Sequence, residues 1–269
     1  MNTATKTLLA LAAALCLASH ASAQSNTMAQ TSRTGEESEV LDKGEGGALS
    51  LSAHAAPDYA NSDMSRLRVM PGLEYRWANG WFASTERGVG YNFAKGSALQ
   101  YGLGLGADMG RRSSGALSGM GDVDARLEYG AFMQYALSPD ADVAAALRYG
   151  SGNDGQGMVV ELGAHYTMHL APQWTLRFGA GTAWANAPYL QTYFGVTDAQ
   201  SAQTGFAAYS PAGGFRDVSA NLTLSYALTH QVSLAGGVSA SSLVGDASNS
   251  PIVSSGKRVA GSLSIRYAF

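Results

Sequence analysis

The sequence predicts an all-β fold, a single closed antiparallel barrel of about twelve strands with ten as the fallback. Three observations predict it. Apolar and polar residues alternate with period two almost to the last residue, which marks strands with one apolar face. The alternating segments reach about 10–13 residues, against the usual ~5–6 of soluble strands. The connections between them fall into a short set and a longer set, taken in turn along the chain.

Composition narrows the class further. Of 269 residues 46% are hydrophobic and 14% charged, with 33 Gly. That charge content is low against the ~25% of soluble domains and Gly is well above its usual ~7%. The balance excludes a disordered or collagen-like chain. A formal net charge of -3 provides no general basic surface, so nucleic acid is not an expected partner. The single Cys16 excludes a disulfide framework and any Cys-cluster metal site, and no cofactor is expected.

The N-terminus reads as an export signal. Lys6 precedes the apolar run Leu8 to Leu17, and Ala21-Ser22-Ala23 supplies the small residues a signal peptidase needs, with cleavage before Gln24. The run is about half the ~20 residues of a spanning helix. Residues 1–23 are therefore read as a signal peptide. Residues 24–47, acidic and aperiodic, read as a disordered periplasmic arm, and 48–269 as the barrel.

The strands follow in order. They are expected near 48–55, 66–76, 80–85, 88–93, 99–109, 122–137, 141–150, 158–170, 174–186, 216–229, 231–244 and 257–269. In the last, Val259, Leu263, Ile265, Tyr267 and Phe269 oppose Arg258, Ser262, Ser264 and Arg266. Leu127, Tyr129, Met133 and Tyr135 likewise oppose Arg126, Glu128, Gly130 and Gln134. The polar set is small (Gly, Ser, Thr, Ala) with isolated charges, where soluble strands would carry many Lys. Strand length fits the ~9–11 tilted residues that cross a bilayer. The barrel is thus read as transmembrane, with lipid-facing apolar residues around a polar lumen.

The connections support the same orientation. Starting from a periplasmic N-terminus, the turns at 78–79, 94–98, 138–140, 171–173 and 230 are short. The outer loops 56–65, 110–121, 151–157, 187–215 and 245–256 are longer, except for the tight Glu86-Arg87 link. One strand over 80–93 would break that parity. Aromatic residues gather near strand ends, with Trp77, Trp81, Tyr101, Tyr135, Trp174, Tyr226, Tyr267 and Phe269 on the periplasmic side and Tyr149 and Trp184 on the outer side. This is a headgroup girdle. Phe269, preceded at alternate positions by Tyr267, Ile265 and Leu263, forms a C-terminal signal of the kind the barrel assembly machinery reads.

Candidate chemistry sits on the lumen face. Arg68, Glu74, Arg76, Asp108, Arg126, Glu128, Arg148, Glu161, His165, Arg177 and Arg266 are placed there as a network that braces or plugs the barrel, since buried charges must pair or meet water. The alternative is a selectivity lining built from Arg68, Arg76, Arg126, Arg148 and Arg177. His165 and His169 lie about 13 Å apart on one strand face, too far to share a zinc. Glu161 can orient His165, yet no Ser stands out as a nucleophile. Gly150-Ser-Gly152-Asn-Asp-Gly155 fits a phosphate-loop pattern, but no helix is predicted after it. Asp58 and Asp63, in an outer loop, read as solvated carboxylates or as ligands for divalent ions bridging lipopolysaccharide.

The run Gly72 to Phe93 (GLEYRWANGWFASTERGVGYNF) resembles the MipA/OmpV family of outer-membrane proteins. The likeness continues through Gly119 to Ala125 (GMGDVDA), Tyr193 to Thr197 (YFGVT), Phe215 to Val218 (FRDV) and Gly245 to Ile252 (GDASNSPI), covering roughly 48–269 in order. The resemblance implies a non-enzymatic barrel in the outer membrane of a Gram-negative bacterium, in contact with lipid and lipopolysaccharide. It further implies a scaffold of the MltA-interacting kind, joining a lytic transglycosylase to a bifunctional penicillin-binding protein that acts as murein synthase. A narrow solute channel and an adhesin acting through loop 187–215 are the alternatives. The family has no catalytic motif to carry over.

Overall fold

A computed structural model describes residues 45–57, 65–94 and 97–269. The signal segment 1–23, the arm up to residue 44, and Asp58 and Asp63 lie outside the described residues. The strands are β1 (Gly46–Pro57), β2 (Ser65–Arg76), β3 (Trp81–Ser84), β4 (Gly88–Asn92), β5 (Leu99–Asp108) and β6 (Arg126–Ser138). They continue with β7 (Ala141–Ser151), β8 (Gly157–Ala171), β9 (Trp174–Ala185), β10 (Gly214–Ala227), β11 (Val232–Leu243) and β12 (Lys257–Ala268). Each pairs antiparallel with its neighbours in sequence, and β12 closes on β1 from Ala48 opposite Ala268 to Ala55 opposite Gly261. Closure joins all twelve strands into one ring and so removes free sheet edges, although the β2–β3, β3–β4 and β4–β5 ladders are short, with three, four and four pairs in register.

Side-chain exposure settles which face meets lipid. On β6, Leu127 is 70% exposed while its neighbour Glu128 is 3% exposed. Leu67, Val69, Leu103, Leu105, Leu162, Val238 and Leu263 also point outward on their strands. No described helix is long and apolar enough to cross a membrane. At the end that holds Gly46 and Phe269, a belt of rings runs round the outside: Trp174 on Tyr226 at 4.6 Å, Trp81 on Tyr91 at 5.4 Å, and Phe93 on Tyr101 at 5.8 Å. Phe269 completes the seam, exchanging two 2.9 Å backbone hydrogen bonds with Gly47 beside the ring of Tyr267.

Two strand starts and one loop differ from the sequence reading. β1 starts at Gly46, taking two residues from the segment assigned to the arm. β6 starts at Arg126 rather than 122, because Val123 is drawn into a loop bridge with Arg111, and Gly110, Gly119 and Gly121 turn the chain at positive φ. As the sequence reading placed them, β3 and β4 are two separate short strands, with Gly88 at the reversal at φ 77°. The loop 187–215 is not irregular throughout: it contains α1 (Ala187–Phe194) and α2 (Asp198–Thr204), and a single helical turn, α3 (Gly245–Ser248), follows β11. The run Gly150 to Gly155 leads into β8, as the sequence reading had it.

Of the alternating glycines of β5, Gly102 has a packing reason. A Cβ at Gly102 would meet the Tyr91 carbonyl oxygen at 2.2 Å and the Phe132 ring at 2.6 Å. Gly102→Ala is therefore expected to push β4 off β5 and cost about 1–3 kcal/mol, the usual range for overpacking. Slower or incomplete conversion to the compact form on unheated gels would report it.

Candidate lumen site

A ladder of charges crosses the outer half of the lumen. Arg148 on β7 stands opposite Gly130 and Val159, and its carboxylate partners stand opposite Gly106, Ala146 and Ala183. These small neighbours leave room for three long side chains to meet. Arg148 donates through Nη1 to Glu128 Oε2 at 2.9 Å and through Nη2 to Glu161 Oε1 at 3.1 Å. One guanidinium thereby holds two carboxylates that would otherwise repel.

Beyond β9 the ladder continues through a β-bulge. Register shifts between Phe215 and Asp217, so Arg216 and Asp217 are both buried although they are adjacent in sequence. Arg216 donates through Nε to Asp217 at 2.5 Å and through Nη1 to the Tyr189 hydroxyl at 3.0 Å, with its guanidinium 5.5 Å from that ring's centroid. Tyr189 belongs to α1, which thus hangs from the barrel wall.

α1 plugs the outer mouth. Its N-cap Asn186 accepts from the Tyr189 amide at 3.0 Å and from the Met158 amide at 2.9 Å, fastening the helix start to β8. Tyr189, Leu190, Tyr193 and Phe194 are buried against Val123, Val159, Ala183, Ala185, Leu243 and Ala247. Tyr193 donates its hydroxyl to Asp108 and accepts at its carbonyl from Arg111 Nη1 at 2.8 Å. Burial, then the neighbouring Asp108 charge, pushes the Tyr193 phenol above its ordinary range, so it remains a donor. At the rim, the Ser113 amide and then Arg112 hold the Asp122 carboxyl below the usual range.

A second cluster lies nearer the periplasm. Asp142 stands in register with His165, accepting from or bonding to its Nδ1 at 2.9 Å, and accepts from Arg177 Nη2 at 2.8 Å. Arg177 also donates to Thr167 Oγ1 at 3.1 Å. The expected Glu161–His165 partnership is corrected: Glu161 serves Arg148, and Asp142 holds the imidazole. Glu74 accepts from Arg87 at 3.2 Å, with Arg87 stacked 4.9 Å over Phe82. Arg68, Arg76 and Arg266 are half-buried on inward faces. Arg126 sits at the rim and donates to the Asn153 carbonyl rather than joining the ladder. His169 is exposed, 3.5 Å from Asp140. Among the described residues no group of His, Cys, Asp and Glu is arranged to hold a metal.

Sequence reasoning missed Asp142, Arg87, Arg216, Asp217, Arg258 and the α1 tyrosines. Asp142 and Arg258 were legible, since both occupy polar positions of alternating strands. The pair Arg216-Asp217 broke alternation, which is itself the signature of a bulge.

A closed twelve-strand antiparallel barrel with an apolar outside, an aromatic belt and a charged lumen defines a bacterial outer-membrane β-barrel. The chain belongs to the family described as MltA-interacting protein MipA, which matches residues 49–269, a family of non-enzymatic barrels. Among solved structures it is similar to the KdgM porin, with TM-score 0.45 and 11% identity over 82% of this chain and 99% of that one. It is also similar to the NanC porin, with TM-score 0.48 and 11% identity over 81% and 98%. The outer membrane channel DcaP of Acinetobacter baumannii gives TM-score 0.41 and 10% identity over 84% and 96%. No curated protein matched.

Proposed function

We propose that this barrel, exported by its 1–23 signal segment, is a periplasm-facing platform on which a lytic transglycosylase of the MltA type docks. There it meets a bifunctional murein synthase of the penicillin-binding class. The observation that carries this reading is the extent of the family match, which runs from within β1 to Phe269 and so takes in the barrel wall itself, where partner contacts are sought. The periplasmic connections suit that role. They are short between β6 and β7 and between β8 and β9, leaving a low rim edged by Trp174, Tyr226 and Phe269. The long outer loop, in contrast, commits its large side chains inward through α1, which weakens the adhesin alternative.

The test is retention of purified lytic transglycosylase, and then of the synthase, on the folded mature chain in detergent. Binding of the first and recruitment of the second only through it is the expected result. Retention of neither would remove the reading. A mature chain lacking 24–44 separates the arm from the barrel rim as the contact.

A further inference from the structure

The lumen is chemically two-sided. The inward carboxylates Glu74, Asp108, Glu128, Asp142, Glu161 and Asp217 lie on β2, β5–β8 and β10, and each has a basic or phenolic partner. β11, β12 and β1 contain no acidic residue. Their inward positions are mostly Ser, Gly and Ala, with Arg258, Arg266 and His54.

Arg258 and Arg266 share one face of β12, eight residues and about 27 Å apart along the strand. Among the described residues neither has an ion-pair or hydrogen-bond partner. Arg68 on β2 lies within electrostatic reach of Arg258, bringing like charges together. Inward residues from Ser50 to His54, Ser233 to Ser241 and Arg258 to Ala268 all keep solvent contact, whereas Gln100, Glu128, Val159, His165 and Ala183 across the lumen are buried. The plug α1 clusters with Val159 of β8 and with Ala183 and Ala185 of β9, and reaches β11 only at that strand's last residue, Leu243, one position beyond the pairing of Ser242 with Lys257.

Cations without carboxylates, strung along a wetted wall of hydroxyls, raise the local concentration of anions and exclude cations. We propose that the β11–β12–β1 wall is a conduction track for small oxyanions, solutes carrying a carboxylate or phosphate, running past the plug from Arg258 to Arg266. Guanidinium groups suit both anions because their donors match two oxygens at once. The ladder on the opposite wall keeps the barrel rigid, and this wall carries the solute. The track stands apart from the docking reading.

The experiment is planar-bilayer recording of the folded full-length mature chain under an asymmetric potassium chloride gradient, repeated with potassium acetate and potassium phosphate. The expected result is anion preference for each salt. The double variant R258S/R266S should lower the anion-to-cation permeability ratio several-fold, and R258E/R266E should turn the preference to cations. R258K/R266K, which preserves charge, should retain selectivity and serves where the other variants fail to fold. A silent bilayer with protein of compact gel mobility overturns the proposal. So does cation preference in the unsubstituted chain, or a ratio indifferent to the charge at both positions.

Discussion

Replacing Arg148 by Met is expected to destabilise the barrel by about 3–5 kcal/mol, the usual loss when one member of a buried ion pair is removed. The guanidinium bonds Glu128 and Glu161 together, and its loss leaves two carboxylates facing each other from β6 and β8. Among the described residues Glu128 has no other hydrogen-bonded side-chain partner, and its Oε1 is already buried without one. The temperature at which the compact gel band converts to the unfolded one should fall markedly. Adding Glu128→Gln and Glu161→Gln should restore most of it, because neutral amides need no counter-charge. An unchanged conversion temperature would mean that lumen water solvates both carboxylates and that the ladder does not brace the wall.

Arg216→Met should act locally, by releasing the plug. Arg216 is fully buried between Asp217 and the Tyr189 ring, so its removal strips Asp217 of its closest bond and α1 of its anchor. The cost falls in the same range of about 3–5 kcal/mol. β10 keeps its ladders to β9 and β11, so the expected outcome is opening of α1 with the barrel intact. Added protease should then cut within 187–213 on intact cells, where the unsubstituted chain resists. Tyr189→Phe removes a single hydrogen bond and should open the plug far less, by about 1 kcal/mol. Equal protection in Arg216→Met would show that the apolar packing of Leu190 and Phe194 suffices alone.

Much of this molecule is written locally in the sequence. A strand side chain points in or out according to the parity of its position, so alternation alone placed the lipid face, the lumen face and twelve strands to within a few residues. The same parity put Arg148, Glu128 and Glu161 on the inside. The breaks between alternating segments placed the short turns, and Phe269 with its alternating neighbours marked the closing strand.

Tertiary structure decided what parity cannot carry. Which carboxylate holds which base depends on register between strands far apart in sequence: Asp142, and not the nearer Glu161, reaches His165, because hairpin pairing sets it directly opposite. The inward fold of α1 depends on a cavity that exists only once the barrel has closed, where Val159, Ala183, Ala185 and Leu243 together offer an apolar seat. The helix itself has only eight residues, below the length at which a helix stands alone in water. Its stability comes from burial against walls contributed by strands distant in the chain, and no window of sequence contains them.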